Sequence, residues 1–314
     1  MKPLKSVYAK ELKRFVAFRK KLGLSFDPQS EIIEKFDAYV AERGHQGLLT
    51  QELALSFAGQ SGGVSKKTAA CRYQVVHHFS DFLSVTVPQT PRLDPKALKS
   101  PKDRPAARIL TDEELARILS AAHSISRRSP MRGITLHMAI GLTACTGLRI
   151  REVCRLDLSD LDTVSGTLLI RKTKFSKDRI VPLHESTLIK MNQYVVRRNE
   201  AYTTSECPAI FLQRWGQRFA RHTLQCSFQE ARIKAGFSED NAPTFHSLRH
   251  TFAVNRLVAW YREGKDVQAM LPLLATYMGH VHYTHTAWYL SAVPELLELA
   301  AERYWDFIGE NGGS

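Results

Sequence analysis

Four short segments between residues 145 and 290 concentrate the side chains that could act on a phosphate. In TGLRIREV, Gly147 permits a turn that sets Arg149 at the start of a helix carrying Glu152. Alone, such an arginine is a solvated side chain. GTLLIRKTKFSKDRIVPL, residues 166 to 183, has two β-prone runs flanking a turn with Lys172, Lys174 and Lys177, by default a solvated charge cluster. In FHSLRHTF, His246, Arg249 and His250 fall at i, i+3 and i+4 and share one helix face, opposite Phe245, Leu248 and Phe252. Two imidazoles and a guanidinium repel one another when charged, a cost offset by an anion between them or by a carboxylate network. TYMGHVHYTHTAWYLS holds His280, His282 and His285 with Tyr283 and Tyr289. Those histidines follow no familiar zinc spacing and no cysteine or carboxylate adjoins them, so no metal is expected. Tyr289, in a Trp-Tyr-Leu run, reads by itself as a half-buried aromatic.

Charge says which phosphate. The 314 residues carry 44 Lys and Arg against 31 Asp and Glu, a net +13, and a field of that sign draws polyanions. Residues 1 to 21 hold eight basic side chains against Glu11 alone, and residues 88 to 108 hold six against Asp94 and Asp103. Nucleic acid is therefore the leading partner. A membrane surface would attract the same charge, but there is neither a clear basic amphipathic helix nor a lipidation signal, and no apolar run approaches the ~18 residues of a span. A cytoplasmic protein is expected. Five cysteines, singly spaced, suggest reduced core residues rather than a disulfide framework. The last 24 residues reverse the sign, with five acids against Arg303, and should seek protein rather than phosphate.

The elements that must position these groups are mostly helical. Composition, 44% hydrophobic and 24% charged, is that of a globular chain long enough for two cores. Val87 to Arg108 contains five of the thirteen prolines and reads as a semi-extended basic linker. It separates residues 1–86 from 109–314. Upstream, apolar residues at three and four residue steps give four short helices, broken near Gly23, Gly44 to Gly47 and Gly59 to Gly63, with Phe15 and Phe36 in the core. Downstream, Thr111 to Glu114 is a capping box that opens a helical domain, with the β-prone segment as a hairpin or small three-stranded sheet.

In order and spacing the four segments resemble the boxes of the tyrosine recombinases, or phage-type integrases. TGLRIREV is similar to their first arginine box, KTKFSKDRIVPL to the hairpin lysine box, HSLRH to the His-x-x-Arg-His box, and MGH followed by a tyrosine nine residues after His280 to the terminal box. SKKTAACRYQVVHHFSDFL resembles part of their amino-terminal domain; FRKKLGLSFD and WYLSAVPELLELAAER look most like members borne by bacterial mobile elements. The resemblance implies a four-helix, SAM-like core-binding domain, and a mostly helical catalytic domain with a small antiparallel sheet. It places the active site on Arg149, Lys174, His246, Arg249, His280 and Tyr289, with Glu152 and His250 in support. Met278 stands where leucine is usual, and Ser247 is one of several residues tolerated in its box; neither disturbs the chemistry.

The implied reaction is cleavage and rejoining of double-stranded DNA through a 3′-phosphotyrosine and a Holliday junction, by a homotetramer on paired sites, without metal, ATP or other cofactor. A tyrosine with a pKa near ~10 is about a thousandfold short of phenolate at pH 7, so it needs cations or a base. Arg149 and Arg249 would each fork onto phosphate oxygens, His280 would add a third donor, His246 would relay the tyrosine proton, and Lys174 would protonate the leaving oxygen. Lys13, Arg14, Lys20, Lys66, Lys67, Arg72, Lys102, Arg104 and Lys177 are the expected DNA contacts, giving an affinity that falls steeply with salt. The acidic, apolar tail from Pro294 to Ile308 suits docking on a neighbouring subunit or on its own domain. Two rivals stay open: a catalytically silent DNA-binding accessory protein of the same fold, and a topoisomerase IB-like strand swivelase.

Overall fold

The computed structural model describes residues 3–23, 26–60, 63–101, 107–125, 129–171, 178–280, 282–292, 296–298 and 301–302. The chain divides into two compact units, Met1–Pro105 and Ala106–Ser314.

Four helices build the first unit: α1 (Ala9–Lys21), α2 (Asp27–Glu42), α3 (Gln51–Gly59) and α4 (Lys66–Thr86). Two starts are set by hydroxyl caps, Thr50 accepting from the Leu53 amide and Ser65 from that of Thr68. The apolar faces meet in a core rich in aromatics, with Phe15, Phe36, Phe57, Tyr73 and Phe79 all buried and the Phe36 and Phe57 rings edge to face at 5.2 Å. The Asp37 carboxylate ties the chain start to α2 by accepting from the Lys5 and Ser6 amides and the Ser6 hydroxyl. Part of the proline-rich stretch packs on this unit. Leu93 is buried in this core, Tyr73 Oη donates to the Asp94 carbonyl at 2.6 Å, and Ser80 Oγ donates to that of Pro91 at 3.1 Å. Prolines remove donors but leave carbonyl acceptors, and α4 supplies the hydroxyls that take them.

The second unit opens with α5 (Asp112–His123), whose Thr111 and Glu114 form the reciprocal capping box. Then come α6 (Pro130–Thr146), α7 (Ile150–Arg155), strands β1 (Leu161–Asp162), β2 (Thr167–Ile170) and β3 (Arg179–Pro182), and helices α8 (Glu185–Ala201), α9 (Arg221–Lys234), α10 (Phe245–Arg262), α11 (Val267–Met278) and α12 (Thr284–Ala292). The sheet is antiparallel in the order β1-β2-β3, with Leu168 opposite Val181 and Ile170 opposite Arg179. Leu168, Ile170 and Val181 face the main core, where α5, α6, α8 and α9 pack together. A second cluster joins α10, α11 and α12 through Leu257, Trp260, Leu271, Leu274, Tyr289 and Leu296. Leu296, from the acidic tail, is thus buried in its own domain.

The cysteines correct the sequence expectation. Cys154 is buried, but Cys71, Cys145 and Cys226 are exposed, and all five are free thiols. Cys71, Cys145 and Cys226 sit on α4, α6 and α9, amphipathic helices whose solvent faces accept a small side chain without penalty. Among the described residues no helix is long and apolar enough to cross a membrane.

Candidate active site

The site is organised by the end of α11. An α-helix leaves its last carbonyls without intrahelical partners, at the negative end of its dipole. Here Gly279 closes the helix in the left-handed conformation (φ 66°), and three successive carbonyls turn to three different guanidinium groups. Arg179 Nε donates to Tyr277 O at 2.8 Å, Arg249 Nη2 to Met278 O at 2.7 Å, and Arg149 Nη2 to Gly279 O at 2.7 Å. A Cβ on Gly279 would lie 2.9 Å from Arg179 Nη1, so any other residue would push that guanidinium aside as well as strain the backbone. A second left-handed glycine, Gly147, ends α6, and its carbonyl accepts from Arg249 Nη1. A Cβ there would strike Phe252 at 2.5 Å.

Glu152, on α7, locks two of these arginines. It accepts from Arg149 Nη1 at 2.9 Å, from both terminal nitrogens of Arg179 at 3.0 and 2.9 Å, and from the Arg149 amide at 2.9 Å. Burial alone would raise its pKa; the hydrogen bonds and charge of Arg179, then Arg149, outweigh that and hold it at about 2. Arg249 is 1% exposed. Loss of solvent, then repulsion by Arg149, lowers its pKa to about 9, which leaves it charged at neutral pH.

A guanidinium has five N–H donors and no acceptor. Arg249 commits three, to Gly147 O, Met278 O and His280 Nε2, and Arg149 commits two of its side-chain donors, to Glu152 and Gly279 O. Among the described residues, two N–H groups of Arg249 and three of Arg149 are left to meet a ligand. Because Arg249 can only donate, His280 Nε2, 2.8 Å away, is the bare nitrogen of a neutral ring; Nδ1 then carries the proton and donates to Thr286 Oγ1 at 2.7 Å. Burial and the nearby Arg249 and Arg149 lower the His280 pKa to about 3. In this state His280 Nε2 accepts from Arg249, and Nδ1 is held by Thr286.

Tyr289, on α12, is 2% exposed, and its hydroxyl lies 2.7 Å from His250 Nδ1. The imidazole that meets the phenol is therefore His250, not His246. His246 lies one turn earlier on α10, at the rim, with its ring edge-on to His250 at 4.5 Å. Its side chain is solvent-exposed, yet partial desolvation, and then Arg249 and Arg149, lower its pKa to about 4, so it is neutral near pH 7. Arg149, Glu152, His246, Arg249, His250, His280 and Tyr289 thus converge within one unit. Lys172, Lys174 and Lys177 lie outside the described residues, as do Lys102 and Arg104. The root of their hairpin does not: Arg179, five positions after Lys174, begins β3 and belongs to the cage.

In the first unit Lys13, Arg14 and Lys20 are exposed on α1, and Lys66 and Lys67 at the start of α4. Arg72 is half-buried, donating to Gln60 O at 2.8 Å at the end of α3. Sequence reasoning missed Arg179 and Thr286. A signal for the first was present: a buried carboxylate on a motif arginine calls for a second cation. For Thr286 it was its i, i+3 relation to Tyr289, which puts both on one face of a helix.

A mostly helical domain with a small antiparallel sheet thus draws arginines, imidazoles and a tyrosine from distant segments into one cluster. Residues 108–295 match the phage integrase family, and the chain belongs to it. It is 39% identical over 293 residues to a putative integrase/recombinase, y4rE, of Sinorhizobium fredii, covering 93% of this chain and 94% of the relative. It is 28% identical over 231 residues to the tyrosine recombinase XerC of Chlamydia muridarum, covering 71% and 68%. In fold it is similar to the Tn1549 transposon integrase in complex with a circular intermediate DNA, with a TM-score of 0.66, 18% identity and coverage of 94% and 99%.

Proposed function

We propose that this protein is a site-specific DNA recombinase in which Tyr289 attacks a backbone phosphate of duplex DNA. The observation that carries the proposal is the Tyr289 hydroxyl held by His250 of the same chain, beside two arginines that keep donors in reserve. The uncommitted N–H groups of Arg149 and Arg249 take the nonbridging oxygens and stabilise the added charge of the pentavalent transition state. Lysine would not replace either, since each must grip helix-end carbonyls and phosphate at once.

As the Tyr289 Oη–P bond forms, its proton passes to His250 Nδ1; as the P–O5′ bond breaks, the departing oxygen takes a proton from Lys174 of the hairpin. The products are a 3′-phosphotyrosine and a free 5′ hydroxyl. Because the ester's energy stays in the covalent link, a 5′ hydroxyl from another duplex reverses the steps and joins new partners without ATP. Exposed Lys13, Arg14, Lys20, Lys66 and Lys67 supply sequence-independent phosphate contacts. Exchange through a Holliday junction in a tetramer, on behalf of a mobile element, is supported by likeness to a lambda integrase tetramer bound to a Holliday junction and to the Tn1549 integrase. The filled cage also speaks against a silent accessory protein.

A suicide substrate, nicked so that the cleaved end diffuses away, tests the proposal. Wild type should trap a covalent DNA adduct that resists boiling in detergent, and Tyr289→Phe should trap none. An undiminished adduct in Tyr289→Phe, or none from wild type on its own element's ends, contradicts it.

A further inference from the structure

We infer that Thr286 is a positioning residue of this reaction, latching the helix that carries the nucleophile to the phosphate-binding cage through His280. The inference rests on the recombinase reading and goes beyond the six motif positions. Thr286 is fully buried, with Oγ1 2.7 Å from His280 Nδ1, and the far nitrogen of that ring is 2.8 Å from Arg249 Nη2. The directions are fixed by chemistry: Arg249 donates to Nε2, so Nδ1–H donates to Thr286. One line of hydrogen bonds therefore runs from α12 through the imidazole to the guanidinium meant for phosphate.

Thr286 and Tyr289 are three residues apart on α12, so the turn that brings Oη to His250 also brings Oγ1 to His280. The helix is pinned at two points, on two histidines that flank Arg249. Thr286 accepts from Nδ1 whether the ring is neutral or protonated. Without the hydroxyl the ring is free to turn and the tautomer to invert, which would place a hydrogen against Arg249 and loosen α12 on that side.

Valine and serine separate this role from packing, because Thr286→Val keeps the shape without the oxygen and Thr286→Ser keeps the oxygen without the methyl. Single-turnover cleavage of the suicide substrate at saturating DNA, with DNA affinity by fluorescence anisotropy, is compared for both and for Thr286→Ala. Val and Ala should slow cleavage about tenfold to a hundredfold, the scale of a misplaced reacting group, with DNA affinity unchanged. Ser should recover most of the rate. Cleavage by Val at the wild-type rate, or by Ser as slowly as by Ala, overturns the latch; if Val does not fold, the Ser and Ala pair decides. Absence of a wild-type adduct would instead strike the recombinase reading, so the two failures are distinct.

Discussion

At the scale of single residues the site is a problem of charge kept in place. Arg149, Arg179 and Arg249 would repel one another, and Glu152, with carbonyls at the ends of α6 and α11, is what lets them converge. Removing one partner of a buried ion pair while leaving the other costs about 3 to 5 kcal/mol. Glu152→Gln keeps shape and one acceptor but leaves two guanidinium groups without a counter-charge. It should lower stability by about 3 kcal/mol or less in urea unfolding and cut single-turnover cleavage more than tenfold. Unchanged stability and rate would mean that the carbonyls alone hold the cage. Arg149, Arg249, His280 and Tyr289 were legible because their boxes recur in a fixed order. Which imidazole meets the phenol was not, since His246 and His250 share a face and only the approach of α12 chooses between them. Arg179 was hidden inside the lysine box, where it reads as one more basic residue.

At the scale of elements, the end of α11 acts as a template: its register fixes where three arginines converge. The helices, the capping box at Thr111 and the β-prone segment could be read from apolar spacing and turn residues, because local patterning dictates them. The template could not, for it arises from carbonyls that every helix exposes and from a meeting of segments over a hundred residues apart in sequence. Likewise the proline-rich stretch looked like a spacer until Tyr73 and Ser80 took its carbonyls. Gly279→Ala tests the template. The left-handed backbone and a Cβ 2.9 Å from Arg179 Nη1 should cost about 1 to 2 kcal/mol in unfolding and also slow cleavage. Alanine tolerated without loss of rate would show that the register of α11 is not what aims the arginines.

For the whole molecule, the site's desolvation and its cluster of cations tie stability to pH. His246 and His280 fall from an unfolded value of 6.5 to about 4 and about 3, so below pH 6.5 the unfolded chain binds protons that the folded site refuses. Stability is complete above pH 6.5 and is lost as pH falls toward those values. Glu152, lowered from 4.5 to about 2, acts in the same direction from pH 4.5 downward. The Tm of the free protein should therefore decline between pH 7 and pH 4.5; a flat or rising Tm would mean the imidazoles are not held neutral. Net charge of +13 points to a polyanionic partner from the sequence alone, whereas the packing that sets these protonation states is visible only once the chain is folded.

The central claim is chemical: one phenol, at position 289, forms the bond to DNA. Protease digestion of the trapped adduct followed by mass spectrometry reads it directly. A peptide spanning Tyr289 that carries a nucleotide through its 3′ phosphate, with a 5′ hydroxyl that polynucleotide kinase can label on the other strand end, is the result predicted. A nucleotide on Tyr283 or Tyr277, or one attached through its 5′ phosphate, would contradict the account.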